Sequence, residues 1–248
     1  MDFGRIFRNA LKYPLDLKTF LPLFIVSLLL TIPSVTLMQI EYAYMFSGFT
    51  GTGFLTTLIL LIISFLLSTL LVGLYVDNAS YFPKRHPLKK SFAVAKKRFL
   101  PLLVNTMILS VIIFLPITVS TAVFISASSY APSLVIAMLM LAAIVTLVLT
   151  FFTFLSQAFV VLGKAKPVDA IKKSYKTVKR CKLNAFAFLF FSFAVVMVLS
   201  LISSALPIFA GAYDYTGISY YIFEIIISTY STLFIYAAIV GFYKSVKR

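Results

Sequence analysis

The chain is short of nearly everything from which polar chemistry is built. It has one cysteine (Cys181), one histidine (His86), no tryptophan and seven Asp and Glu among 248 residues. A single cysteine excludes an intrachain disulfide, and a single histidine excludes a His-based metal cluster or relay. No phosphate loop, GxSxG elbow, HExxH or CxxC word occurs. The acids are too scattered to hold a divalent metal. No cofactor is expected, and no enzymatic activity. Charged residues make up 12% of the chain, about half the share of a soluble domain.

Apolar residues fill the gap: 61% of the chain is hydrophobic, with a mean hydropathy of +1.04. A water-soluble globule of this size cannot hide that much apolar surface, so the composition reads as an integral membrane protein. Six long apolar runs lie at about 20–40, 53–76, 99–125, 133–162, 183–208 and 218–243, none holding Lys or Arg. Each meets the roughly 20 residues needed to cross about 30 Å of hydrocarbon. The alternating pattern of a membrane barrel is absent. The first run is longer than a typical signal-peptide core and is expected to be a mature span.

All 22 Lys and Arg lie between or outside these runs. They fall in four segments: 1–18, the connection between runs two and three, the connection between runs four and five, and the C-terminus. The three intervening connections, near 41–52, 126–132 and 209–217, carry none. Such asymmetry predicts a multi-pass protein of the cell membrane with the basic segments and both termini in the cytoplasm. The net charge of +15 therefore points to a membrane surface rather than nucleic acid. Asn78-Ala79-Ser80 is a formal glycosylation sequon, expected to stay bare on the cytoplasmic face.

Two basic segments share wording. Residues 89–105 read KKSFAVAKKRFLPLLVN, and residues 172–184 read KKSYKTVKRCKLN. Phe20-Leu21-Pro22-Leu23 matches Phe99-Leu100-Pro101-Leu102, and Leu115-Pro116-Ile117 matches Leu206-Pro207-Ile208. The expected fold class is all-α: six transmembrane helices arranged as three pseudo-repeated hairpins, about 1–80, 81–164 and 165–248, in a single polytopic domain.

The basic lead-ins are amphipathic. Leu88, Phe92, Ala95 and Phe99 fall on one helical stripe, as do Ile171, Tyr175, Val178 and Cys181, with lysines opposite. Pro87 and Pro167 stand where proline opens a helix, and Asp169 suits a first turn. Such helices are expected to lie in the headgroup layer on the cytoplasmic side. There Lys89, Lys90, Lys96, Lys97 and Arg98, with Lys172, Lys173, Lys176, Lys179 and Arg180, are the candidate contacts to lipid phosphates, each contributing about 1 kcal/mol near an anionic leaflet.

Polar groups inside the runs are few. Glu224, Asn105, Gln157 and Asn184 are the candidates for a solute pathway, with helix-to-helix hydrogen bonding as the plainer reading. Asp77, ending the second run, is expected to pair locally with Lys or Arg. Pro33, Pro116 and Pro207 are expected to kink the odd-numbered runs. The lysines around Cys181 are expected to lower its thiol pKa, although a lone cysteine with no histidine beside it reads as structural.

The words Lys89-Lys90-Ser91-Phe92 through Arg98-Phe99, Ala170-Ile171-Lys172-Lys173-Ser174-Tyr175, and the opening Ala10-Leu11-Lys12-Tyr13-Pro14 resemble one group. These are the uncharacterised, archaeal-like prokaryotic six-span proteins related to the membrane domain of glycerophosphoryl diester phosphodiesterases. The resemblance covers nearly the whole chain through short motifs. It implies an all-helical membrane module, and no catalytic residue carries over. The expected function is a non-enzymatic, lipid-associated scaffold or accessory subunit, whose partners are anionic membrane lipids and, as a second class, another membrane protein. The alternative is a transporter or permease subunit for a small solute or lipid.

Overall fold

The computed structural model describes the backbone of residues 2–29, 51–84, 86–127, 132–209 and 218–247, and side chains within 2–29, 55–84, 86–121, 136–202 and 225–247. Every regular element among the described residues is a helix. They are α1 (Phe3–Leu15), α2 (Leu17–Leu29), α3 (Gly51–Tyr81), α4 (Leu88–Ala127), α5 (Pro132–Thr153), α6 (Ser156–Val161), α7 (Pro167–Arg180), α8 (Lys182–Phe209) and α9 (Ile218–Lys247).

Five stretches are long and apolar enough to cross a membrane: Leu55–Tyr81, Leu88–Thr121, Ile136–Val161, Lys182–Ile202 and Ile225–Lys247. The first predicted run begins as α2, and its remainder, with Pro33 and the connection near 41–52, lies outside the described residues. Most of the connections near 126–132 and 209–217 lie outside them too. Large apolar side chains along the spans stay exposed, among them Leu55, Ile59, Val111, Phe114, Leu147, Phe186 and Leu201. In water such an array would be a large association-prone surface; in hydrocarbon it is the ordinary outside of a spanning helix.

The chain forms two compact units: Met1–Phe99 with Phe190–Arg248, and Leu100–Leu189. In the first, α1 and α3 both pack against α9. Helix α1 opens with Asp2, whose carboxylate accepts the Arg5 N–H at 2.9 Å. It buries Ile6, Ala10, Tyr13 and Pro14 on one face, while Arg5, Arg8 and Lys12 stay exposed. Asp16 then joins two helices. Its N–H closes α1 on the Lys12 carbonyl, and its carboxylate accepts the Thr19 hydroxyl in the first turn of α2. Helix α3 changes character along its length: residues 55–63 are mostly exposed, whereas 73–79 are buried all round.

In the second unit α7 packs against α5 and α6. The fourth apolar run, expected to be one helix, is broken. Helix α5 ends at Thr153 and α6 starts at Ser156, with no proline or glycine between them. The seat of the break is tertiary. The Leu155 N–H donates to Ser174 Oγ at 3.3 Å, and the Ser174 hydroxyl donates to the Phe152 carbonyl at 2.8 Å. One side chain from α7 thus satisfies two backbone groups at the interrupted ladder.

Of the second and third lead-ins, only the second departs from the expectation of a separate helix. The second lead-in and the third run form one uninterrupted helix of 40 residues, α4, which passes through Pro101 and Pro116 without ending. The third lead-in is a separate helix, α7, divided from α8 at Cys181, where the backbone (φ −127°, ψ 44°) leaves the helical region.

Candidate functional site

Several buried polar groups, among them Asp77, Asn78, Ser91 and Ser174, lie at the helix ends that carry the basic residues. In the first unit a cluster forms around the end of α3. The Tyr13 hydroxyl donates to Asn78 Oδ1 at 2.9 Å, joining α1 to α3 across 65 residues of sequence. The Asn78 amide nitrogen reaches the His86 carbonyl and Ser91 Oγ, each at 3.4 Å. Ser91 also lies close enough to the Asp77 carboxylate to favour its charged form. His86 lies flat on Tyr81, centroids 3.7 Å apart at 6°, with Nε2 3.6 Å from Asp77 Oδ2. Tyr13 meets Phe82 edge-on at 5.4 Å. Burial, with Tyr75 and Asp77 nearby, pushes the Tyr13 hydroxyl well above the ordinary tyrosine range, so it is a neutral donor at any working pH. Beside the cluster a cleft of about 400 Å³ is lined by Lys18, Thr19, Pro22, Asn78, His86, Pro87 and Leu88.

This cluster departs from the sequence reading at Asp77, whose partner is the chain's one histidine rather than a Lys or Arg. The signal was present: Asp77 and Asn78 are adjacent polar residues at the end of an apolar run, with the lone histidine nine positions on. The long-range partner, Tyr13, carries no such mark. Ser91 contacts Asp77 and Asn78, whereas a catalytic serine needs its base, the imidazole, on the hydroxyl.

The two KKS serines are both fully buried, and so are the small residues one turn away: Ser91 with Ala95, and Ser174 with Ala170 and Val178. Ala95 and Val178 are thus buried as members of the predicted stripes, while the rest of each stripe is displaced. Phe92 and Tyr175, the bulkiest members, are 43% and 45% exposed. Leu88, Phe99, Ile171 and Cys181 are only half-buried. Small side chains let a helix approach its neighbour closely, so the serine-alanine face docks and the aromatic ring turns outward. Lys179 lies 6.0 Å over the exposed Tyr175 ring, within cation–π range.

Of the candidate phosphate contacts, Lys89, Lys90, Lys96 and Lys97 are exposed and Arg98 is half-buried, all in the first unit. Lys172, Lys173, Lys176, Lys179 and Arg180 are all exposed, in the second. Of the candidate pathway residues, Asn105 is buried with its amide nitrogen 3.4 Å from Ser156 Oγ, while its Oδ1 has no partner. Gln157 is half-buried and Asn184 is exposed. Glu224 is placed on α9, and its side chain lies outside the described residues.

Burial pushes the Cys181 thiol above its ordinary value, against the expected lowering by nearby lysines. Its sulfur donates to the Thr177 carbonyl at 3.1 Å. No group of three or more His, Cys, Asp or Glu that would hold a metal occurs among the described residues. No protein-family model, curated protein or solved structure matches this chain.

Proposed function

We propose that this is a non-enzymatic, six-span module of the cell membrane, with both termini cytoplasmic, that holds anionic lipid against its basic helix ends and serves as a lipid-associated scaffold or accessory subunit. The observation that carries the reading is the three-way division of the KKS helices. Buried serine and alanine pin each helix to the protein, an exposed aromatic (Phe92 or Tyr175) lies beside them, and the lysines occupy the exposed remainder. That is the layout of a helix seated at the headgroup level, with an aromatic ring toward lipid and ammonium groups toward phosphate and water. The sixth span is the run that begins with α2. The likeness of the two KKS segments, and that of the chain to the six-span proteins related to the phosphodiesterase membrane domain, supports a repeated hairpin plan.

The test is native mass spectrometry of the full chain released from nanodiscs of mixed zwitterionic and anionic lipid. Reversing the charge of Lys172, Lys173, Lys176, Lys179 and Arg180 should lower the number of anionic lipids retained. An unchanged number would reduce the basic residues to topology signals. Orientation has its own readout in the single native thiol. Impermeant maleimide should label Cys181 in inside-out vesicles and not in intact cells.

A further inference from the structure

A second cleft of about 400 Å³ opens in the first unit where α1, the end of α3 and the end of α9 meet, among residues outside the KKS segments. Its apolar lining holds small residues from three helices, Ala10, Ala79, Ala237 and Gly241, beside Ile6 and Val240. At Gly241 the approach is close enough that a Cβ would lie 3.0 Å from Ile6 Cγ2. Polar groups occupy the rim: Arg5, Asn9, Lys244 and Ser245. Among the described residues the Arg5 guanidinium has no carboxylate partner and the Asn9 amide no hydrogen bond. Lys244 Nζ also donates to the Ser80 carbonyl. The one acid on the rim, Asp2, accepts the Arg5 N–H through Oδ1.

We infer that this cleft is a binding site for a phosphate group, and that the group is the headgroup phosphate of an anionic phospholipid. The planar guanidinium of Arg5 matches the geometry of two phosphate oxygens, and an amide and an ammonium lie on the same rim. The apolar floor, with Phe82 and Pro83 beside it, suits the glycerol and first methylenes better than it suits an inorganic ion. The volume falls within the range of ordinary small-ligand pockets. The inference rests on the lipid-binding reading above, but it uses residues that the KKS faces do not.

The experiment is native mass spectrometry of the full chain in nanodiscs of phosphatidylcholine with a minor share of phosphatidylglycerol. Four variants are compared with wild type. Arg5→Gln with Asn9→Ala removes the guanidinium and the amide from the rim. Ala237→Phe fills the hollow without changing charge. Arg8→Gln removes an exposed charge of the same helix that does not line the cleft. The charge reversal of Lys172 to Arg180 empties the KKS face of the second unit.

Wild type should keep one phosphatidylglycerol through collisional activation that strips the rest. The first two variants should lose it by tenfold or more in occupancy, and the last two should keep it. Loss in the last variant alone would overturn the cleft while leaving the KKS reading intact, and that reading is scored separately, by the number of anionic lipids retained before activation. Retention in both cleft variants, or equal loss in Arg8→Gln, would overturn the inference. Millimolar inorganic phosphate is added as a separate arm. Displacement of the lipid by it would keep the phosphate chemistry and assign the source to soluble phosphate. No displacement assigns it to the lipid. Ala237→Phe guards against a folding artefact, because it leaves every polar group in place.

Discussion

The two KKS segments solve one mechanical problem with different materials. Each must hold a lysine-rich helix against the end of a spanning helix. In the first unit Ser91 accepts from a side chain, the amide of Asn78, beside the Asp77 carboxylate and within a cluster that also includes Tyr13 and His86. In the second, Ser174 reaches only backbone, the Leu155 N–H and the Phe152 carbonyl at a break in a helix. Side-chain clusters can re-pair when one member is lost, whereas backbone groups of a packed helix end have nowhere to turn. The same tripeptide therefore does interchangeable work in one place and irreplaceable work in the other.

The largest test of that difference is Ser174→Ala. It leaves a buried donor and a buried acceptor unmatched, which costs about 2–4 kcal/mol. The expected readouts are a clear fall in the thermal midpoint of the detergent-solubilised chain and faster hydrogen exchange at Leu155. Ser91→Ala should cost about 1 kcal/mol, because Asn78 keeps Tyr13; equal losses for the two serines would break the comparison. Tyr13→Phe sharpens it from the other side. Removing the hydroxyl leaves Asn78 Oδ1 buried without its donor, an expected loss of about 1–2 kcal/mol. That loss should be smaller when Asn78 is already alanine, as a double-mutant cycle would read.

The smallest effect belongs to Cys181, at the joint that divides α7 from α8. Its thiol pKa is raised by burial, so less thiolate is present at a given mildly alkaline pH than for an exposed cysteine. Alkylation at pH 8 should be slower than for a free cysteine and should keep rising with pH. A rate above that of free cysteine would mean that the lysines, not burial, govern the thiol.

Long apolar runs made the spanning helices legible, because hydropathy summed over 20 residues outweighs any local preference. The register of the KKS helices was legible only to within one position. Reading for amphipathicity favours the bulkiest apolar residues, here Phe92 and Tyr175. Close helix docking favours the smallest, here Ser91 and Ala95, or Ala170 and Ser174. The break after Thr153 left no local trace, since neither proline nor glycine marks it and its stabilising partner stands on another helix. The Tyr13–Asn78 bond was out of reach for the same reason: nothing near either residue names the other. The amphipathic cleft is a property of three helix ends meeting, and no one of them carries a local mark of it.

The Ser174 bridge also sets an order of events during synthesis. Leu155 emerges from the ribosome 19 residues before the serine that satisfies its N–H. At about 5–20 residues per second, that amide and the Phe152 carbonyl wait on the order of seconds for their partner. Hydrocarbon offers no substitute during such a delay, so the segment around Phe154 must stay within reach of water until α7 arrives. Docking of α7 then acts as a latch that releases the last water from the break.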